Sequence, residues 1–279
     1  MAIALTGATG NLGRLVVSEL LERGVPAGEI VAIVRDPDKA ADLARLGVVV
    51  REAEYGNPAG WAQALSGVEH LLLMSVSGHG ASAAHRTVID AAAQAGVDFI
   101  AYTSIVNADT SSNPLAPEHL ATERLIEASG LRHAILRNAW YHEVYTRSVG
   151  EMVDSGELVA STGDGRVSGA ARADFAAAAA AVLGDGEAGV YELGGEDFTL
   201  ADFVAAVERE SGRPVALRNL SDDEHIAHLQ AAGMGGAAEF VVGVDASIRA
   251  GEMQTDSALL RRLAGRPLRT LEESVRLAL

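Results

Sequence analysis

Apolar residues in this chain gather into short unbroken runs and into periodic stretches, and the two alternate. The runs lie at 2–5, 30–34, 48–50, 70–74, 99–103 and 133–136. They lack the polar alternation of a half-exposed strand, so they read as strands covered on both faces. Between them, apolar positions recur with helical spacing near 12–23, 38–46, 59–65, 81–95 and 116–129. Gly24, Gly47, Gly67, Gly96 and Gly130 each follow a helical stretch, where a left-handed cap is expected. This strand–helix rhythm predicts a parallel, doubly wound α/β sheet.

Past residue 140 the rhythm loosens. The pattern predicts a helix over 142–155 ending at Gly156, a strand over 158–161, a loop over 162–165, a helix over 173–183 and a strand over 190–193. Thr199, with Asp202 three residues on, reads as the cap of a helix running to Ser211. From residue 221 the pattern is helical, broken at 233–236 and 265–267. No low-complexity linker separates the halves. The expected division is a sheet domain over 1–155 and a smaller, mostly helical C-terminal lobe over 156–279, with 158–161 and 190–193 as segments that could return to the sheet.

Directly after the first strand stands Gly7-Ala8-Thr9-Gly10-Asn11-Leu12-Gly13, and a helix follows at once. Glycine at the first position permits a tight turn, at the second a close approach of backbone to a pyrophosphate, and at the third close packing of helix on strand. The phosphates then sit at the helix N-terminus, where free N–H groups and the dipole favour an anion. In a chain with 30 glycines the pattern alone could be an ordinary turn, but a strand before it and a helix after it mark a Rossmann-type fold that binds a dinucleotide. The second strand decides which one. Arg35 is the first residue beyond it, placed to meet a 2′-phosphate or stack on adenine, which favours NADPH. Two other readings stay open: an Arg35–Asp36 surface pair, and Asp36 as an acid for the ribose of NADH.

Composition narrows the chemistry. There is no cysteine, which excludes disulfides, thiolate metal sites and a cysteine nucleophile. Of 22 basic residues only Lys39 is lysine, so none of the 5 tyrosines has the lysine four positions on that a Tyr-x-x-x-Lys pair needs. A net charge of −16 disfavours nucleic acid and anionic membrane as partners. No basic and apolar leader is visible, and the Ala-rich run at 176–182 is too short to span a bilayer, so a cytoplasmic location is expected.

With these motifs in view, the sequence resembles the NmrA-like, atypical short-chain dehydrogenase/reductase family. The resemblance is carried by 6–13, 30–35, 99–104, 119–123 and 136–141, and by the terminal Leu263-Ala264-Gly265-Arg266-Pro267 with Leu271-Glu272-Glu273-Ser274. Within the family the pattern is most similar to the bacterial quinone reductases, with triphenylmethane-dye reductases next; some other members are non-catalytic redox sensors. The resemblance implies NADPH as hydride donor without a flavin, a quinone or flat aromatic acceptor, and a monomer or homodimer. It assigns Gly7, Ala8, Thr9, Gly10, Asn11, Leu12 and Arg35 to the phosphates. Ser75, Val76 and Ser77 would line the ribose, and Asn138, Ala139, Trp140 and Tyr141 would lie beside the nicotinamide. His119 stands where relatives carry an active-site lysine. Its imidazole could bond the acceptor oxygen or supply a proton, or it could pair with Glu118 or Glu123 on a helix surface.

Further candidates are Arg172 on the nicotinamide side, and Tyr102, Trp140, Tyr141 and Phe175 against the acceptor, each also readable as core. His225 and His228, at i and i+3, suggest a solvated helix face in preference to a metal site, because no third ligand is apparent. Met234, Phe240 and Met253 read as core first and pocket lining second.

Overall fold

The structure is a computed structural model; it describes all residues of 1–279 except Gly56, Ser77 and His79. The first half follows the expected rhythm: β1 (Ile3–Thr6), α1 (Asn11–Glu22), β2 (Ile30–Val34), α2 (Ala41–Arg45), β3 (Val49–Glu52), α3 (Pro58–Ala64), β4 (His70–Leu73), α4 (Ala81–Ala95), β5 (Phe99–Ile105), α5 (Ala116–Ser129) and β6 (Arg132–Asn138). The five helix-ending glycines all have positive φ, between 72° and 87°. The second half contains α6 (His142–Thr146), α7 (Val149–Ser155), β7 (Glu157–Ala160), β8 (Arg166–Ser168), α8 (Arg172–Asp185), β9 (Gly189–Leu193), β10 (Asp197–Thr199), α9 (Leu200–Ser211) and β11 (Ala216–Asn219). Helices α10 (Asp222–Ala231), α11 (Ala238–Arg249), α12 (Ala258–Ala264) and α13 (Leu271–Arg276) complete it.

Seven strands, all parallel, form the central sheet in the order β3-β2-β1-β4-β5-β6-β9 among the described residues. The chain reverses direction across the sheet between β1 and β4. That is where a doubly wound sheet opens a crevice at its carboxyl edge. One apolar cluster fills the α1/α8 side, a second the α3/α4 side, and a third lies in the lobe.

Two segments differ from the pattern reading. The single helix over 142–155 is two, because the Ser148 hydroxyl takes the Tyr145 carbonyl at 3.1 Å and competes with the helix ladder. Of the two strands that could rejoin the sheet, only 189–193 does, pairing with β6; 157–160 pairs with β11 instead. Thr199 and Asp202 form the expected capping box. Helix α8 is buried on all sides from Asp174 to Leu183, and its alanines let α1 and α12 pack against it closely. Among the described residues, no helix is long and apolar enough to cross a membrane.

Candidate active site

A cleft of about 740 Å³ opens over the carboxyl ends of β1, β2 and β4. Its floor is the glycine loop. Gly7 turns at φ +61° and its carbonyl accepts the Gly10 amide at 2.9 Å. A Cβ on Gly13 would stand 2.3 Å from the Gly7 carbonyl oxygen, so only glycine lets α1 start this close to β1. No side chain caps α1 and no acid sits in its first turn, which leaves the N-terminal amides directed at an anion. Arg14 fastens the loop to the next segment, reaching the Thr9 carbonyl at 3.1 Å, the Lys39 carbonyl at 2.8 Å and the Asp42 carboxylate.

At one end of the cleft Arg35 is exposed and has no ion pair among the described residues. The Arg35–Asp36 surface pair is not formed. The Asp36 carboxylate accepts the Asp38 amide at 3.1 Å and lies 3.7 Å from Lys39 Nζ, so it caps the following 3-10 turn and does not pair with Arg35. Tyr55 and Trp61, with ring centroids 5.6 Å apart, complete this wall. Sequence reading missed both; their only signal was aromaticity just past β3, in a chain with few aromatics.

Tyr141 lines the other end, and Asn138, buried behind it and outside the cleft lining, donates to its hydroxyl at 3.2 Å, while the Asn138 Oδ1 is buried without a partner among the described residues. An orphaned acceptor of this kind is suited to an amide N–H of a bound molecule. The Tyr141 ring is fixed from two sides: the Arg172 guanidinium lies 5.3 Å from its centroid, and Phe175 meets it edge-on at 5.2 Å. Burial pushes the Tyr141 phenol up from its ordinary pKa.

His119, in the first turn of α5, shares a 2.9 Å hydrogen bond with the Tyr102 hydroxyl through Nδ1. Burial pulls its pKa down to about 4, although Glu123 and Glu118 oppose the shift, so the imidazole is neutral at pH 7. Helix α5 is tied to β6 by a buried ion pair: Glu123 accepts from Arg137 at 3.0 and 2.7 Å and also from Ser104. Arg137 then reaches Asp109 and Glu192 at the surface. The strand bearing Asn138 and the helix bearing His119 are therefore one rigid unit.

Comparison with known proteins agrees with this geometry. Residues 7–186 match the family described as NAD(P)H-binding. The chain belongs to that family. It is 45% identical to quinone oxidoreductase 2 of Escherichia coli K12, over 98% of this chain and 97% of that protein. The crystal structure of the NADPH-dependent quinone oxidoreductase from E. coli complexed with NADPH matches with a TM-score of 0.94 at 44% identity, covering 98% of each chain. Citrobacter sp. triphenylmethane reductase complexed with NADP(H) matches with a TM-score of 0.92 at 36% identity over the whole of both chains. The NmrA-like resemblance read from the motifs is borne out.

Within this NAD(P)H-binding fold, Gly7, Thr9, Gly10, Asn11, Leu12, Arg35, Ser75, Val76 and Tyr141 line the cleft. Ser77 lies outside the described residues. Several expectations are corrected. Ala8 is buried behind the loop, Asn138 is buried and outside the cleft lining, and the adjacent Ala139 and Trp140 both pack into the lobe's apolar cluster, where the chain past β6 leaves the sheet. Phe175 is 1% exposed and Tyr102 0%; each supports a neighbouring side chain and leaves no ring face for an acceptor. Arg172 does not line the cleft; its guanidinium lies over the Tyr141 ring. His225 is buried against Ser161 and Asp245, not solvated, while Met234 and Phe240 are exposed and only Met253 is core. A second cavity, about 890 Å³, is lined in part by His142; its four arginines stand among four carboxylates and it contains no phosphate loop.

Proposed function

We propose that this protein is an NADPH-dependent reductase that delivers hydride to quinones, with flat aromatic cations such as triphenylmethane dyes as a second acceptor class. The observation that carries the reading is one cleft with an anion-ready glycine loop and an exposed arginine at one end and Tyr141 at the other, its hydroxyl held by Asn138, whose buried Oδ1 has no partner among the described residues. The chain around it is 45% identical to a quinone oxidoreductase along nearly its whole length. The loop amides and the α1 N-terminus would hold the pyrophosphate, Arg35 the 2′-phosphate, Ser75 and Val76 the ribose, and Asn138 Oδ1 the carboxamide of the nicotinamide. Bound NADPH supplies the hydride; a quinone that gains it together with one proton becomes the hydroquinone.

The protein's own contribution is positioning. Tyr141, clamped by Arg172 and Phe175, gives the nicotinamide end a fixed wall. His119, neutral and engaged at Nδ1 by Tyr102, has Nε2 left to hydrogen-bond the acceptor oxygen, and at pH 7 it orients the acceptor without acting as a cationic acid. The lobe over 156–279 supplies the acceptor side. The likeness to triphenylmethane reductase at 36% identity supports a triphenylmethane dye as the second acceptor class. The test is NADPH oxidation against a panel of small quinones and malachite-green-type dyes. Quinone turnover with a higher kcat/KM than dye turnover is expected. Tight NADP binding without turnover of any acceptor would instead point to a redox sensor.

A further inference from the structure

Each of three consecutive backbone amides past the end of β4 is taken by a side chain from a different element. Met74 N–H donates to Thr6 Oγ1 at 2.9 Å, Ser75 N–H to Thr103 Oγ1 at 2.9 Å, and Val76 N–H to His85 Nε2 at 3.1 Å. The first two acceptors are hydroxyls on the neighbouring strands β1 and β5. The third is an imidazole on α4, 1% exposed.

The tautomer of His85 follows from its partners. An amide can only donate, so Nε2 must be bare and Nδ1 must carry the proton. That proton goes to Thr122 Oγ1 at 2.9 Å, and the Thr122 hydroxyl in turn donates to the Glu118 carbonyl at 3.0 Å. Burial keeps the ring neutral, with its pKa pulled down to about 4. The Glu118 carboxylate accepts the Gly80 and Ser82 amides at 3.1 and 2.9 Å, where α4 begins. Helix α5 thus grips the segment after β4 at both ends, through His85 and Thr122 at Val76 and through Glu118 at Gly80 and Ser82. The residue after Glu118 is His119.

We propose that His85 is a positioning residue: with Val76 on one ring edge and Thr122 on the other, it sets where the cleft-lining segment after β4 stands relative to the helix that carries His119. This rests on reading the cleft as the NADPH site. Dinucleotide contact at Ser75 and Val76 and acceptor contact at His119 are then mechanically linked through one neutral ring.

NADPH affinity measured directly by quenching of protein fluorescence tests this without any acceptor. In His85→Leu the Val76 amide loses its buried acceptor, and NADPH binding weakens about 5- to 100-fold. Thr122→Val, which leaves the imidazole in place but removes the acceptor of its Nδ1–H, weakens it about 3- to 10-fold. His85→Gln, whose Oε1 can reach the place of Nε2, recovers affinity to within about threefold of wild type. Nitrogen-15 NMR of the wild-type protein at pH 7 shows His85 as the neutral Nδ1–H tautomer. An Nε2–H or charged His85 overturns the proposal, as does unchanged affinity in a cooperatively folded His85→Leu. If His85→Leu shows no cooperative melt, Thr122→Val decides by the same measurement. Wild-type protein that binds no NADPH would instead sink the reading of the cleft, a result distinct from variants that bind as wild type does.

Discussion

The two ends of the cleft are built from different materials. At the end proposed for the phosphates the protein offers backbone: a glycine turn, uncapped helix amides and one arginine without an ion pair among the described residues. At the end proposed for the nicotinamide it offers Tyr141, a side chain itself held by Arg172 and Phe175; His119, outside the cleft lining, is likewise held by Tyr102. Backbone geometry tolerates almost no change at one glycine. A relay of side chains gives way by degrees, because losing one contact leaves the others in place.

The largest expected effect is at the phosphate end. Gly13→Val places its Cβ against the Gly7 carbonyl and the Ala8 backbone, at separations of 2.3 to 2.9 Å, and no flexible neighbour can yield. NADPH binding should be lost beyond measurement by calorimetry, with a lowered melting temperature. Weakened binding of less than tenfold would show that the loop is softer than its geometry. Next is the unit under the other end. Glu123→Ala strands the Arg137 guanidinium, 9% exposed, with only its surface partners. Unfolding in urea should show a loss of about 3 kcal/mol, with NADPH affinity much less affected than in Gly13→Val.

Acid should destabilise the fold through its buried histidines. Burial holds His85, His119 and His142 neutral down to about 4, whereas unfolded histidine titrates near ~6.5. Between those values the unfolded chain binds more protons, so stability falls as pH falls through the window. Urea midpoints at pH 7 and pH 5 should differ by about 2–5 kcal/mol in extrapolated stability, and equal values would contradict neutral burial. Arg35→Ala is a smaller change. It should raise the KM for NADPH about tenfold and leave NADH unaffected, since NADH has no 2′-phosphate for the guanidinium to meet. Equal effects on both cofactors would remove Arg35 from the 2′-phosphate. The smallest effect belongs to His119→Ala: kcat for quinone reduction should fall about fivefold, and the wild-type rate should show no histidine-type inflection between pH 5.5 and 8.

What could be read from the chain divides along the same line. The strand runs, the glycine caps, Gly7–Gly10–Gly13 and the position of Arg35 are local: each depends on φ, on a missing Cβ or on spacing along one βα unit, and the structure bears out the doubly wound sheet they imply. Trp140 against Tyr141 was not legible, because which of two adjacent aromatics faces the cleft depends on how the chain leaves β6. Tyr55 and Trp61 were missed for the same reason: the tertiary fold alone brings them to the wall that also holds Ile33, Val34 and Arg35. The alternation of apolar runs with helical stretches determined the sheet, the switch between β1 and β4 and the place of the dinucleotide, since those follow from short-range geometry. Only the tertiary structure decided that Asp36 is occupied, that Phe175 and Tyr102 are supports, and that His119 is neutral. Charge state, burial and hydrogen-bond partners are set by residues distant in sequence, which no local pattern records.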